Sequence, residues 1–254
     1  MLLAVDIGNT NTVVGVFDGA TLVGHFRVAS AHNLTSDEAG LFLTGLLERM
    51  KVAPESIDSV VIASVVPQLT PVYINTSQRY FNREPVIVSV RIKLPVRVEI
   101  DQPEQVGADR LANGVAAYHK YGGPVIVVDF GTATNFDVVN ETGAYIGGVI
   151  LPGPETSLTE LARKAARLFE VRIEPPERAI GKSTAGALKS GLFYGTIGQV
   201  DYLVEKIVEE AGFKKTTVVA TGGLAGRFEG YSRFITVTDP TLTLEGLRLI
   251  GEAN

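Results

Sequence analysis

The chain has 254 residues, 45% of them hydrophobic and 20% charged, which is enough for one large globular domain or two of ordinary size. It contains no cysteine, so disulfide bonds, a thiolate zinc site and a cysteine nucleophile are excluded. The net charge of -5 argues against a nucleic-acid-binding surface. The lack of a signal peptide or a long apolar run predicts a cytoplasmic protein that does not contact a membrane.

Short apolar runs alternate with segments of helical periodicity along the chain. The runs predict strands over residues 2–5, 59–66, 86–90, 125–128, 218–220 and 234–237. The periodic segments predict helices over residues 36–51, 69–81, 109–121, 158–169, 184–211 and 243–251. The sequence Ser157-Leu158-Thr159-Glu160 fits a capping box at the start of the helix over 158–169. The alternation as a whole predicts an α/β fold with a largely parallel sheet.

The opening of the chain has a second copy near its middle. With Asp6 placed on Asp129, AVDIGNTNTVVGVFDGATLVG lies over VVDFGTATNFDVVNETGAYIG. Both copies read as an apolar strand, an aspartate, a glycine, small polar residues and two further strands. This predicts two related halves over residues 1–121 and 122–254, each opening with a β-meander, although the last helix could pack back on the first half. Two unrelated hairpins are the alternative reading.

The small polar residues that follow each aspartate suggest a phosphate site. Glycine at the bend lets backbone N–H groups approach an anion, and short side chains add hydrogen-bond donors. Neither loop contains lysine or arginine, so a metal ion is the expected source of positive charge beside Asp6 and Asp129. Alternatively, the two carboxylates only accept hydrogen bonds at strand ends. The added donors are Asn9, Thr10, Asn11, Thr12, Thr132, Thr134 and Asn135.

A second group of polar residues begins the helix predicted after residue 108. Asp109 lies in the first turn, where the helix dipole favours a carboxylate and predicts a lowered pKa. Arg110 can bind a carboxylate through two hydrogen bonds while Asp109 orients a hydroxyl, which suits a substrate with both groups. Simple charge complementarity at the helix N-terminus is the alternative.

Glycines mark two further features. Gly222 and Gly223 end an apolar strand, and their backbone can lie against a base or ribose, or can simply make a tight connection. The helix over 184–211 contains four glycines, which predicts close helix packing within the chain or across a dimer. A P-loop ending at Gly181-Lys182-Ser183 is excluded, because Pro176 stands where that motif requires its first glycine.

Together the motifs DIGNTNT, GADR, DFGTATNFD, IGKST, ATGGLA and DPTLTLEGL, in this order, resemble the type III pantothenate kinase family. That family belongs to the superfamily of sugar kinases, acetate kinases and actin-like ATPases. The resemblance implies two actin-like, ribonuclease H-like α/β halves with mixed five-stranded sheets flanked by helices. It also implies phosphorylation of pantothenate by ATP with Mg2+, the first step of coenzyme A biosynthesis. The enzyme would be a homodimer that needs a monovalent cation, K+ or NH4+.

The resemblance also implies roles for individual residues. Asp109 matches the general base and Asp129 the monovalent-cation ligand, while Asp6 would hold Mg2+ through water. The pantothenate site would comprise Gly107, Ala108, Asp109, Arg110 and Thr184. The ATP site would comprise Asp6, Ile7, Gly8, Asn9, Thr10, Asn11, Thr12, Val13, Thr132, Gly222 and Gly223.

The second loop departs from the family pattern. Asn135 and Asp137 stand where family loops often have threonine and an uncharged residue, and the position of Asp137 relative to the phosphates is left open. Two other functions fit the same motifs. One is a kinase of another small hydroxy acid or sugar, and the other is a non-catalytic protein like the Bvg accessory factors, which are associated with transcription.

Overall fold

The structure consists of two units, and the chain crosses from one to the other twice, after His119 and after Pro240. The computed structural model describes residues 1–254. The first unit comprises Met1–His119 and Thr241–Asn254, and the second comprises Lys120–Pro240. The first crossing therefore lies close to the division after residue 121 that the sequence predicts. The C-terminal residues belong to the first unit, which is the arrangement that the sequence left open.

The first unit contains a mixed five-stranded sheet in the order β3-β2-β1-β4-β5. The strands β1, β2 and β3 form an antiparallel meander, while β4 and β5 run parallel to β1. The prediction of a largely parallel sheet was wrong for this part, because short turns connect the first three strands. The strands are β1 (Leu2–Ile7), β2 (Asn11–Asp18), β3 (Thr21–Ala29), β4 (Ser59–Ser64) and β5 (Val86–Ile87).

Helices cover both faces of this sheet. Alternate residues of β1 explain the arrangement, since Leu3 and Val5 belong to a core with α1 and α2, whereas Ala4 belongs to a core with α3 and the last helix. A capping box of Thr35 and Glu38, which the sequence analysis missed, begins α1. The remaining elements before residue 122 are α1 (Ser36–Arg49), α2 (Thr70–Phe81), the two-residue β6 (Arg97–Val98) and α3 (Ala108–Tyr121).

The second unit repeats the plan with five strands in the order β11-β10-β7-β8-β9. Here β7, β8 and β9 form the antiparallel meander, and β10 and β11 are parallel to β7. One face of β7 packs on the long helix α5 through buried aromatic and aliphatic side chains. The elements are β7 (Val125–Phe130), β8 (Ala133–Val139), β9 (Ala144–Pro152), α4 (Pro154–Lys164), α5 (Thr184–Ala211), β10 (Thr217–Thr221), α6 (Ala225–Phe228) and β11 (Val237–Thr238).

The predicted capping box at Ser157 was wrong. Helix α4 begins at Pro154 with Gly153 as its N-cap, so Ser157 lies inside the helix and its backbone N–H donates to the Gly153 carbonyl at 2.8 Å. Proline is well suited to the first position of a helix because its missing N–H would be unpaired there in any case. The helix also ends at Lys164, five residues before the predicted end.

The two meanders match each other in detail. Each has a register shift at the same point of its second strand, between Val16 and Phe17 and between Val138 and Val139. The second hairpin is one residue shorter, since Asp6 pairs with Val13 but Asp129 pairs with Asn135. Thr12 and Thr134 are therefore structural equivalents, although the ungapped alignment places Thr12 over Asn135.

The last helix, α7 (Leu242–Glu252), packs against β1 and β4 of the first unit. It crosses α3 at very short range, because a Cβ on Gly246 would lie 2.0 Å from the carbonyl oxygen of Ala112. The Thr243 hydroxyl donates to Oδ1 of the buried Asn113 at 2.7 Å beside this crossing. None of the helices combines the length and apolar composition that a membrane span requires.

Candidate active site

The first glycine loop is a tight connection between β1 and β2. The backbone N–H of Gly8 donates to the Asn11 carbonyl at 3.0 Å, which closes the turn. A Cβ at position 8 would lie 2.9 Å from that same oxygen, so the turn requires glycine. Asn9 and Thr10 at the tip are exposed, whereas the Thr12 side chain is buried. The exposed part of the loop thus consists of backbone donors and short polar side chains.

Ser30, which directly follows β3, contacts this loop at two points. Its backbone N–H donates to the Thr10 carbonyl at 3.0 Å, and its hydroxyl donates to the Gly8 carbonyl at 2.6 Å. Ser30 could not be identified from the sequence, because it lies outside the repeated motif and a lone serine after a strand carries no signal by itself. Its role becomes visible only in the pairing of β2 with β3.

The N-terminus of α3 lies at the same edge of the sheet as this loop. Val65, directly after β4, donates its backbone N–H to the Ile7 carbonyl at 3.0 Å. A Cβ on Gly107 would lie 3.5 Å from Cγ1 of Val65. The sequence therefore correctly places the GADR motif at a helix start, and the fold brings it to the carboxyl ends of the parallel strands. Ligands of open α/β sheets commonly bind at this edge.

Asp109 is held by its own helix N-terminus. The backbone N–H of Arg110 donates to Asp109 Oδ1 at 2.8 Å. Burial nevertheless raises the pKa of the Asp109 carboxyl above its ordinary value, although this hydrogen bond and the Arg110 charge act in the opposite direction. The prediction of a lowered pKa was wrong because it counted the helix dipole and left out burial. A raised pKa makes the carboxylate a better proton acceptor.

The second glycine loop is supported by the start of α4. Gly131 closes the turn by donating its N–H to the Ala133 carbonyl at 2.9 Å. The Thr132 carbonyl accepts hydrogen bonds from the Gly153 N–H at 3.0 Å and from the Thr156 hydroxyl at 2.6 Å. Residue 132 itself is exposed, so its side chain is accessible while its backbone is fixed.

Asp129 lies against the Gly-Gly turn of the same unit. A Cβ on Gly222 would lie 2.3 Å from Asp129 Oδ1 and 2.7 Å from the backbone nitrogen of Phe130. Gly222 also has a φ of +89°, so both its conformation and its surroundings require glycine. The fold thus brings together two features that the sequence gives far apart. A partly buried carboxylate beside backbone atoms suits a hard cation, which prefers oxygen ligands.

Asp137, whose position the sequence left open, lies away from the second loop. It pairs with Val127 inside the sheet, is fully buried, and accepts a hydrogen bond from the Tyr145 hydroxyl at 2.8 Å. Its carboxylate therefore contributes to the interior of the second unit, and nothing in its position brings it to the loop residues Gly131 and Thr132.

Thr184 is the first residue of α5 and is exposed. Ser183 caps this helix by accepting a hydrogen bond from the Gly186 N–H at 3.1 Å. The turn before it is tight, since a Cβ on Gly181 would lie 2.2 Å from the Ala187 nitrogen. The IGKST segment is therefore a helix start with an exposed threonine.

Solved structures identify the fold of this chain. A ROK hexokinase from Thermus thermophilus matches with a TM-score of 0.51 at 15% identity, covering 99% of this chain and 97% of that chain. A Baf family transcriptional activator from Campylobacter jejuni matches with a TM-score of 0.58 at 20% identity, covering 98% and 96%. The fold is thus the actin-like ATPase and sugar-kinase fold.

Sequence comparison then identifies the family. The type III pantothenate kinase family model matches residues 2–206. Type III pantothenate kinases from Moorella thermoacetica and Agathobacter rectalis are 45% and 44% identical, over 254 and 250 residues. The alignment covers all of this chain and all of the Moorella protein, and 98% of this chain and 96% of the Agathobacter protein. The chain belongs to the type III pantothenate kinase family.

Proposed function

We propose that this protein transfers the γ-phosphoryl group of ATP to the primary hydroxyl of pantothenate, the first step of coenzyme A biosynthesis. Family membership supports the reaction. The observation that carries the mechanism is the Asp109 carboxylate, whose pKa is raised by burial and which lies at the sheet edge that also holds the first glycine loop. An acceptor for a hydroxyl proton and a loop of phosphate donors are the two parts that this transfer requires.

Asp109 acts as the general base. As the pantothenate hydroxyl oxygen attacks the γ-phosphorus, its proton passes to the Asp109 carboxylate, the bond to the bridging oxygen breaks, and ADP leaves. Arg110 binds the carboxylate of pantothenate, and the backbone at Gly107 and Ala108 completes that subsite. Positioning supplies much of the rate in such a transfer, because little covalent chemistry is asked of the protein.

ATP is bound by backbone and short side chains. By their match to the family motifs, the residues assigned to ATP are Asp6 to Val13, Thr132, Gly222 and Gly223. Bound Mg2+ would neutralise charge on the phosphates. The structure has no group of three His, Asp or Glu side chains that could hold a metal ion, and Mg2+ usually binds through one or two carboxylates together with phosphates and water. Asp6, at the end of β1, fits the role of a carboxylate that holds the ion through water.

Asp129 binds the monovalent cation, K+ or NH4+. Its carboxylate lies against the backbone of Gly222, which is part of the adenosine turn in this assignment. A cation there would offset the repulsion between the carboxylate and the phosphates. A cytoplasmic location follows from the same assignment, because its substrates and K+ are cytoplasmic.

The protein acts as a homodimer through α5. On one face of this helix Gly191, Gly195 and Gly198 have no atom within 4 Å of the position that a Cβ would take. Tyr194, which lies between the first two of these glycines, is 42% exposed, and Tyr202, which follows the last, is 60% exposed. Small residues that allow close approach, flanked by exposed aromatic side chains, favour a second helix as the neighbour. Thr184 at the start of α5 contributes to the pantothenate pocket near that interface.

The direct test is phosphoryl transfer by the purified protein. With Mg-ATP and K+ or NH4+, we expect ADP formation to depend on pantothenate and not on glucose, N-acetylglucosamine or glycerate, and to fall when Na+ is the only monovalent cation. Mass spectrometry of the product identifies 4'-phosphopantothenate. A preference for one of the other acceptors would contradict the proposed substrate. No transfer under any cation would favour a non-catalytic role like that of the Bvg accessory factors.

A further inference from the structure

Ser30 holds the first glycine loop at both of its ends. Its hydroxyl donates to the Gly8 carbonyl at 2.6 Å and its backbone N–H donates to the Thr10 carbonyl at 3.0 Å. These two carbonyls flank the exposed tip of the loop. One residue, brought in by the pairing of β3 with β2, therefore determines the orientation of two of the peptide groups in the turn.

The Ser30 hydroxyl is itself held from behind. It lies 2.9 Å from the hydroxyl of Thr12, which is 1% exposed. Because Ser30 donates its only hydroxyl proton to the Gly8 carbonyl, the Thr12 hydroxyl donates to Ser30. The buried Thr12 side chain thus helps to fix the position of the Ser30 hydroxyl.

The orientation of these carbonyls decides where the loop N–H groups point. A trans peptide is planar, so its N–H points opposite to its C=O. With the Gly8 and Thr10 carbonyls directed at Ser30, the N–H groups of Asn9 and Asn11 point away from Ser30. Asn9 is exposed at the tip, so its N–H is available to an anion.

We infer that Ser30 is a positioning residue for the phosphates of ATP, acting through the Gly8 and Thr10 carbonyls without touching the nucleotide. The inference deepens the proposed function and rests on the assignment of residues 6–13 to ATP. Thr12 belongs to the same support, since its buried hydroxyl faces Ser30. Both residues fix the loop in the conformation that presents its N–H groups.

The test compares Ser30→Ala with Ser30→Thr, which keeps the hydroxyl, and with Ser56→Ala. Ser56 is a matched control, because its hydroxyl also donates to a backbone carbonyl at 2.6 Å, that of Ala53, in a turn of the first unit. Calorimetric titration with Mg-ATP and steady-state kinetics are run on each protein. For Ser30→Ala we expect ATP affinity to fall about tenfold, which is the loss of one backbone-directed hydrogen bond. The pantothenate KM should stay unchanged, and the other two variants should bind ATP within about twofold of the parent.

If Ser30→Ala folds poorly, Thr12→Val provides a second test of the inference. It removes the hydroxyl behind Ser30 and keeps the side-chain shape, so a smaller loss of ATP affinity in the same direction is expected.

An ATP affinity within about twofold of the parent for both variants would overturn the inference. Equal losses of ATP and pantothenate affinity, together with a lower Tm, would also overturn it, because they indicate a general structural role. If the parent binds ATP but does not phosphorylate pantothenate, the proposed function fails and the titration still decides the role of Ser30. If the parent does not bind ATP, both fail.

Discussion

The carboxylate of Asp109 folds back over Gly107. A Cβ at position 107 would lie 2.5 Å from Asp109 Oδ1, closer than side-chain carbons are found in proteins. The same oxygen accepts the Arg110 N–H, so the carboxylate has little freedom to move aside. The glycine of the GADR motif thus keeps free the space in which the proposed general base lies, and this relationship can be tested separately from the base itself.

Replacement of Gly107 by alanine should therefore displace the base. We expect Gly107→Ala to lower kcat about 10- to 100-fold, since small misplacements of reacting groups have effects of this size. ATP affinity should be retained, because the first glycine loop is not altered. The decisive comparison is a double-mutant cycle on kcat, in which the alanine substitution has no further effect once Asp109 is already asparagine. An equal loss in both backgrounds would show that Gly107 acts independently of Asp109.

Asp109→Asn should remove the proton acceptor and preserve its shape. Loss of a general base usually costs about 10²- to 10⁴-fold in rate, so we expect kcat to fall within that range while the Kd for ATP stays near that of the parent. Single-turnover phosphoryl transfer and ATP titration measure the two quantities. Near-normal turnover by Asp109→Asn would remove Asp109 from the mechanism.

The raised pKa of Asp109 predicts the pH dependence of both activity and stability. The carboxylate must be ionised to accept a proton, so kcat/KM of the parent should fall on acidification at a pH above about 3.9, the ordinary aspartate value. Between the pKa of Asp109 in the unfolded chain and its higher pKa in the folded protein, the folded state binds a proton that the unfolded state has released. The free energy of unfolding is therefore unaffected by Asp109 below the unfolded pKa and decreases as the pH rises through the folded pKa.

Asp109→Asn removes this loss of stability, which gives the stability prediction a clear sign. Its Tm should exceed that of the parent at pH 8, and the difference should shrink as the pH falls toward 4. Thermal unfolding followed by circular dichroism at several pH values measures it. A Tm below that of the parent at pH 8 would mean that the ionised carboxylate is net stabilising in the folded protein.

The sequence contained more of the fold than of the site. The Asp-Gly repeat predicted both meanders, and the matching register shifts at Val16 and Val138 support the equivalence of the two halves. The bounds of α5 agree with the prediction over 184–211, because its cap at Ser183 and the glycine at its end are local signals. Mixed sheets were not foreseen from the alternation of elements, since that alternation does not show which strands are joined by turns.

The features of the site that could not be predicted from the sequence depend on contacts between segments that are distant in the chain. The pKa of Asp109 is set mainly by burial, which a helix-dipole argument from its own turn does not include. Ser30 acts on Gly8 through a strand pairing, and Gly222 acts on Asp129 across two neighbouring strands. In each case the chemically informative residue was visible in the sequence, but the contact that sets its position or its pKa was not.

The crossing of α3 and α7 should be sensitive to a single methyl group. A Cβ on Gly246 would lie 2.0 Å from the Ala112 carbonyl oxygen, and backbone cannot rotate away as a side chain can. We expect Gly246→Ala to destabilise the protein by about 1–3 kcal/mol, the usual cost of overpacking. Gly45→Ala is the matched control in α1, where a Cβ meets no atom within 4 Å and helix propensity predicts a gain of up to ~1 kcal/mol. Urea unfolding of both variants measures the difference, and equal effects would show that α7 can shift to accommodate the methyl group.

The glycine face of α5 predicts the oligomeric state. Gly195→Glu places a charged side chain where the monomer has open space, so the monomer should keep its fold, whereas a partner helix at close range could not accommodate it. We expect sedimentation to give twice the chain mass for the parent and the mass of one chain for the variant. Gly45→Glu, on a helix outside this face, should leave the parent mass unchanged. A dimer in Gly195→Glu would place the interface elsewhere.

Asp129 should determine the response to monovalent cations. Asp129→Asn removes the negative charge of the carboxylate and replaces one of its two oxygens with an NH2 group. We therefore expect the K+ concentration for half-maximal activity to rise at least about tenfold, with little change in the pantothenate KM. Gly222→Ala provides an independent variant, because its Cβ would lie 2.3 Å from Asp129 Oδ1 and its φ of +89° is unfavourable for alanine. It should weaken K+ activation in the same direction. Activity titrations with KCl at constant ionic strength, balanced with choline chloride, measure the effect. An unchanged K+ dependence in Asp129→Asn would assign the cation to other oxygen atoms and leave Asp129 as a structural partner of the Gly-Gly turn.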